Sequence, residues 1–270
     1  ISMFNSRFEE FFALLDSDFY DYIVIDEAHH SQADSYRKLF DHFQPQLLVG
    51  LTATPERMDG KDLRPDFGNR ISAEIRLPQA LQAGLLTPFQ YLCISDDTDL
   101  SDDSLWSGQK YNIERLADKL CAKTRARLIV DALHKYLADE YTCRALCFCV
   151  NKRHADFMAE QLRLYGFNAQ SLTSDTPADE RKQLAKDLRE GTLHYLCVVD
   201  IFNEGVDIPE VDTVLFLRPT ESLTIFLQQL GRGLRLSAGK TELTVLDFVA
   251  QANRKYDFAS RFRALTLQPE

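Results

Sequence analysis

Two short apolar runs set the first pattern in the chain: DYIVI at residues 21 to 25 and QLLVG at 46 to 50, with a polar stretch of helical spacing from about Ser31 to His42 between them. Apolar runs of this length, rich in β-branched residues and leucine, read as strands, so the three pieces predict a β-α-β unit. Gln79 to Gly84 reads as a short helix closed by a glycine, and Phe89 to Ile94 as a further strand. From Ser95 to about Gly108 the apolar pattern stops, and Asp and Ser take over around a single Trp. Beyond it the alternation is regular. Helix is expected at about 112 to 138, 152 to 165, 178 to 190, 222 to 235 and 252 to 264, and strand at about 144 to 149, 168 to 173, 194 to 199, 212 to 217 and 243 to 248. Gly166 and Gly191 stand where two of these helices stop, and Pro177 after Thr176 predicts a proline at the first helical position behind a threonine cap.

Strands separated by helices of this length predict a mainly parallel sheet covered on both faces. The chain therefore reads as α/β with two lobes: a partial first lobe over 1–94, an acidic linker over 95–109 and a complete second lobe over 110–270. The linker's aspartates (Asp96, Asp97, Asp99, Asp102, Asp103) lack the glycine and closing glutamate of a calcium loop, so they are assigned to solvent.

Composition narrows the function. At 45% hydrophobic and 27% charged over 270 residues, the chain can build a globular core and is not a disordered segment. No stretch approaches the ~18 to 20 apolar residues that cross a bilayer, and the first residues lack the order of a secretory signal. These features predict a soluble, cytoplasmic protein without a membrane partner. Six cysteines with no C-x-x-C pair predict reduced thiols, with Cys147 and Cys149 alternating along a strand. The net charge of −10 weighs against nucleic acid, yet Lys110 to Arg163 holds 11 basic and 7 acidic residues. That local excess suits a basic groove, and equally suits ordinary solvated helix faces.

The chemistry concentrates at strand ends. Asp26-Glu27-Ala28-His29 follows the first apolar strand directly, where open α/β sheets bind ligands. One carboxylate, Asp26, can hold Mg through water, while Glu27 orients and deprotonates an attacking water. Leu51-Thr52-Ala53-Thr54-Pro55 follows the second strand and adds two hydroxyls at what should be the same edge. In the second half, Arg232 and Arg235 are spaced i, i+3, which on a helix presents two guanidinium groups to one ligand, such as a phosphate carrying developing charge. Gly205 permits close backbone approach in the loop that contains it.

In order, these pieces resemble the motifs of superfamily 2 helicases and translocases, specifically the branch of restriction-enzyme-like and DNA-repair motors. D-E-A-H resembles motif II and T-A-T motif III. Phe148 to Asn151, leading into Lys152-Arg153-His154, resembles motif IV. DIFNEGVDIP at 200 to 209 resembles motif V, and Gln228-Gln229-Leu230-Gly231-Arg232-Gly233-Leu234-Arg235 matches Q-x-x-G-R-x-x-R of motif VI. The resemblance implies two RecA-like lobes that bind ATP and Mg in the cleft between them and DNA, rather than RNA, across their tops. It implies nucleotide contacts for Asp207 and Gln228 and a coupling role for His29, Thr52 and Thr54. The sequence departs from the family at Val199, where many relatives place a phosphate-binding Thr before motif V. Backbone contacts to nucleic acid are therefore assigned to Asn151, Lys152, Thr173 and Thr220, for each of which plain capping or turn formation is the alternative.

No G-x-x-x-x-G-K-[ST] loop is found. Gly239-Lys240-Thr241 has its ending, but Gly233, the nearest upstream glycine, leaves five intervening residues instead of four, and the segment leads from helix to strand, the reverse of a phosphate loop. In the family that loop precedes D-E-A-H, so the chain is expected to begin after it, with further domains upstream and no ATP hydrolysis of its own. Two other readings remain: a degenerate ATPase kept as a nucleic-acid or protein-binding module, and a translocase that pumps duplex without separating strands.

Overall fold

The computed structural model describes residues 14–31, 33–52, 63–108, 110–199, 208–220, 222–252 and 265, in two compact units, 1–74 and 75–270. In the first, β1 (Tyr22–Ile25) runs parallel to β2 (Leu47–Gly50), Ile25 opposite Gly50, and α1 (Asp34–His42) makes the crossover. Ile25, Ala28, Leu39 and Phe43 form its small core. The alternate residues Tyr22 and Val24 are 68% and 61% exposed, as strand periodicity requires when one face is covered. Gly50 ends β2 because nothing larger fits: a Cβ there would lie 2.7 Å from the Phe67 ring and 3.0 Å from the Ala28 Cβ. Phe67 closes a single 3-10 turn, Arg64–Phe67, held to α1 by a two-pronged Arg37–Asp66 pair at 2.6 and 2.8 Å.

The second unit is built on a six-stranded sheet of β3 (Phe89–Leu100), β6 (Ala145–Phe148), β7 (Ala169–Leu172), β8 (Tyr195–Val198), β9 (Thr213–Phe216) and β10 (Leu243–Ala252). Their order is β3-β10-β9-β6-β8-β7, and each neighbouring pair is parallel. β6, β8 and β9 are buried throughout, so successive side chains feed opposite cores. Ala145, Cys147, Tyr195, Cys197 and Leu215 meet α4 (Lys123–Tyr136) and α5 (Lys152–Leu164) on one face. Leu146, Phe148, Leu196, Val198 and Phe216 meet α6 (Ala178–Glu190) and α7 (Leu223–Gly233) on the other. Cys147 and Cys149 both point into the first core, two residues apart. Before the sheet lies α2 (Leu77–Gln82), followed by Gly84 at φ 67°.

Several expectations give way. The sheet's edge strand β3 runs through Ser95 to Leu100, where solvated linker was expected, and these residues and those from 75 onward pack in the second unit. Asp96 is buried against Arg125, which is why an acidic stretch can be strand. Asp99 and Asp102 do remain outside, accepting the amides of Ser101 and Ser104 in tight turns. A small hairpin, β4 (Trp106–Ser107) with β5 (Lys110–Tyr111), follows. The helix expected over 112 to 138 is two, α3 (Ile113–Leu120) and α4, broken at Cys121 and Ala122. The break lets α3 pack with Leu100, Leu105 and Tyr111, while α4 lies on the sheet. Pro177 is itself the N-cap of α6, and the Thr176 hydroxyl accepts the Thr173 amide. β10 reaches Ala252, and the helix expected from there to 264 lies outside the described residues beyond that point.

The two glycines of Gly231-Arg232-Gly233 are not equivalent. A Cβ on Gly233 would fall 2.6 Å from Leu243 and 3.0 Å from Val214, both fully buried, whereas one on Gly231 meets nothing within 4 Å. Gly233→Ala is expected to lower unfolding stability by ~1 to 3 kcal/mol through overpacking. Gly231→Ala should be neutral or gain up to ~1 kcal/mol from helix propensity. Urea midpoints of the two variants check this, and equal losses would contradict it.

Candidate functional site

In the first unit the turn after β1 carries the acids. The Leu51 amide donates to Ile25 O and the Ala28 amide to Leu51 O, both at 2.8 Å, so the D-E-A-H turn is stitched to the end of β2. Glu27 sits at φ 50°, ψ 48°, left-handed space that a side chain rarely enters, and strain of this kind is held only where surrounding structure enforces it. The Asp26 carboxylate accepts the Glu27 amide at 2.9 Å and is exposed. His29 is buried, with Nδ1 3.2 Å from both Glu27 Oε2 and Thr52 Oγ1. One ring nitrogen thus lies between the D-E-A-H turn and the chain just after β2. Thr54 lies outside the described residues, as do Gly205 and Asp207. An exposed carboxylate at a strand end suits Mg, a hard cation that keeps its own waters.

In the second unit the parallel sheet brings Asn151 (after β6), Thr173 (after β7) and Thr220 (after β9) to one edge, the C-terminal one. Asn151 caps α5, accepting the His154 amide at 3.0 Å and donating to Glu114 at 3.1 Å. Lys152 pairs with Asp175 at 2.6 Å in solvent, a weak tie that a phosphate can replace. The Thr173 hydroxyl is buried and accepts the Asp175 amide, and Thr220 is buried.

α7 carries Gln228 and Arg232 but ends at Gly233, so Arg235 lies beyond the helix and does not share a helical face with Arg232. The cause is at the helix end. The carbonyls of Gly233, Leu234 and Arg235 accept from the Lys240 ammonium and from the Thr87 amide and hydroxyl, not from amides further along α7.

Behind this edge sits an ionic cluster the sequence did not reveal. Arg125 Nε donates to Asp96 Oδ2 at 2.6 Å with both side chains 2% exposed, and Thr98 donates twice to the other carboxylate oxygen. Burial pushes the Asp96 carboxyl up, but Arg125 and Thr98 outweigh it and hold it below the ordinary range. His154, fully buried, accepts the Val150 amide at Nδ1, which leaves the proton on Nε2. Burial first, then the charges of Arg125, Arg218 and Arg153, push its pKa down to about 3. In the unfolded chain the ring titrates near 6.5, so between those values the unfolded state takes up a proton the folded state refuses. The ring therefore leaves stability unchanged above about pH 6.5 and lowers it progressively as the pH falls toward 3. His154→Gln should flatten the acid limb of stability against pH, as measured by urea unfolding, and an unchanged slope would contradict it.

A family model for the helicase conserved C-terminal domain matches residues 110–237, and one for the res subunit of type III restriction enzymes matches 1–57. IRC3 of Saccharomyces cerevisiae, named as an ATP-dependent helicase, is 30% identical over 238 residues, covering 86% of this chain and 34% of that protein. XPB2 of Sulfurisphaera tokodaii, named as a DNA 3'-5' translocase, is 24% identical, covering 89% and 61%. Among solved structures, a fragment named as an HsdR subunit of a type I restriction enzyme from Vibrio vulnificus matches at TM-score 0.68 and 26% identity, covering 94% of this chain and 47% of that one. The fold is thus that of RecA-like helicase domains. The chain belongs to the superfamily 2 helicase and translocase family. It spans between about a third and a half of the length of the first curated relatives it matches (34%, 48% and 38%).

Proposed function

We propose that this chain is the motor core of a cytoplasmic ATP-driven DNA helicase or translocase. The observation that carries the reading is the Glu27–His29–Thr52 bridge: a carboxylate held in strained backbone beside a histidine that also touches motif III. In this reading Glu27 orients and deprotonates the attacking water, and Asp26 would hold a hydrated Mg, which would supply charge neutralisation at the phosphates. His29, with Thr52 and Thr54, passes the state of the nucleotide to the DNA-bound parts. Gln228 and Asp207 orient the nucleotide, Gly205 gives its loop room, and Arg232 and Arg235 serve the transferring phosphate. Lys152 and the amides that open α5 take DNA phosphates, with Asn151, Thr173 and Thr220 shaping that edge.

DNA is favoured because XPB2 is named for it, and Lys152 is placed in this reading for phosphate oxygens rather than base edges. Affinity should then fall steeply with salt and little with sequence. ATP hydrolysis by the upstream-extended protein, measured with and without duplex and single-stranded DNA and over a salt series, tests the reading. No stimulation by DNA together with a flat salt response would sink it, and strand-displacement against triplex-displacement assays separate helicase from duplex translocase.

A further inference from the structure

Lys240 drew notice in the sequence only as the end of a false phosphate loop, yet its side chain is placed with unusual economy. Its ammonium donates to three main-chain carbonyls: Gly233 at 2.5 Å, Arg235 at 2.9 Å and Pro209 at 3.1 Å. An ammonium has three N–H donors, so the backbone takes all of them. Two acceptors belong to the end of α7, where carbonyls lack helical amides and a positive charge is favoured. The third closes the DIFNEGVDIP segment. Thr87 secures what is left: its amide donates to Leu234 O at 2.8 Å and its hydroxyl to Arg235 O at 2.9 Å. Lys240 is half-buried, and burial pushes its pKa down to about 8 despite Asp212 and Glu210 nearby. A lysine serving only solubility would stay in water.

We propose that Lys240 is a positioning residue that ties the end of the arginine helix to Pro209, so that Arg232 and Arg235 keep a fixed register with the chain at Pro209. The inference rests on the reading of those arginines as phosphate ligands. The geometry of the tether itself does not.

The test compares wild type, Lys240→Met, Arg232→Ala and the double variant in the ATP-hydrolysing form of the protein. Displacing a positioned group by about 1 Å costs up to ~100-fold, so Lys240→Met should lower kcat ~10- to 100-fold while KM for ATP stays within about 3-fold. In the Arg232→Ala background it should cost no more than the loss that displacing Arg235 brings, well short of its full effect in wild type. A lysine that merely stabilises the fold would give full kcat once folded, or a loss that simply adds to that of Arg232→Ala, and either result overturns the proposal. If Arg232→Ala alone keeps its turnover, the reading of the arginines fails instead. Hydrogen exchange on the 270-residue chain then still decides the tether: Lys240→Met should speed exchange of the amides at 231–236 at least ~10-fold, and unchanged exchange overturns it. Should Lys240→Met not fold, Thr87→Val removes one hydroxyl donor to Arg235 O at nearly constant shape. It should show the same split between kcat and KM, and an unaltered kcat again overturns the proposal.

Discussion

Replacing Arg232 by alanine is expected to lower kcat for ATP hydrolysis by ~10³ to 10⁵ in the ATP-hydrolysing form of the protein, the range for an arginine acting on a transferring phosphate. KM for ATP should change by no more than a few-fold. The asymmetry follows from timing: charge on the phosphate oxygens develops on the way to the transition state, so an arginine aimed there stabilises that state more than bound ATP. Arg232 lies in the last turn of α7, on a backbone whose following carbonyls are clamped by Lys240 and Thr87. Arg232 stands on the helix, and Arg235 stands in the bend past its end, with its own carbonyl held by Lys240 and Thr87. Steady-state kinetics over an ATP titration decide it, and a variant that keeps more than about a tenth of wild-type kcat removes Arg232 from this role.

A 270-residue polypeptide of this sequence is expected to release phosphate from ATP at least ~10⁴-fold more slowly than a version extended upstream to include a phosphate loop, with or without DNA. Asp26 and Glu27 can hold metal and water, but the triphosphate needs a row of amides and a lysine to align it. The sequence carries no G-x-x-x-x-G-K-[ST] run to supply them, and the loss of one preorganised donor at a charged transition state already costs ~2.7 to 4 kcal/mol. The one lysine with the loop's C-terminal signature, Lys240, is committed to three carbonyls of its own unit. A phosphate-release assay on both lengths, each with a Glu27→Gln control, checks the expectation. DNA-stimulated release by the short chain that disappears in Glu27→Gln would mean that other groups hold the phosphates.

Much of the second unit's fold was legible because its signals are local. Fully apolar four-residue runs such as ALCF and YLCV can satisfy their surroundings only between two helical layers, and Gly191 stops α6 at φ 75° where a Cβ would be strained. The carboxylates of the candidate site were legible for the same reason, as a run of four residues at a strand end. What the sequence misjudged depends on partners distant along the chain. Asp96 looked like a solvated acid because nothing near it announces Arg125, 29 residues on, whose guanidinium makes burial tolerable. The helix over 112 to 138 looked continuous because the need for α3 and α4 to fill two separate cores is invisible to periodicity.

By itself, then, the amino-acid sequence determined the alternation of strands and helices, the polarity of the sheet and the order of the motifs, all set by residue type and spacing over a few turns of chain. The tertiary structure alone decided where the arginine helix stops, because that depends on Lys240 and Thr87, distant along the chain, taking its last carbonyls. It alone decided that His29 reaches Glu27 and Thr52 with one nitrogen, since β1 and β2 must first pair in register before a histidine after one strand can meet a threonine after the other.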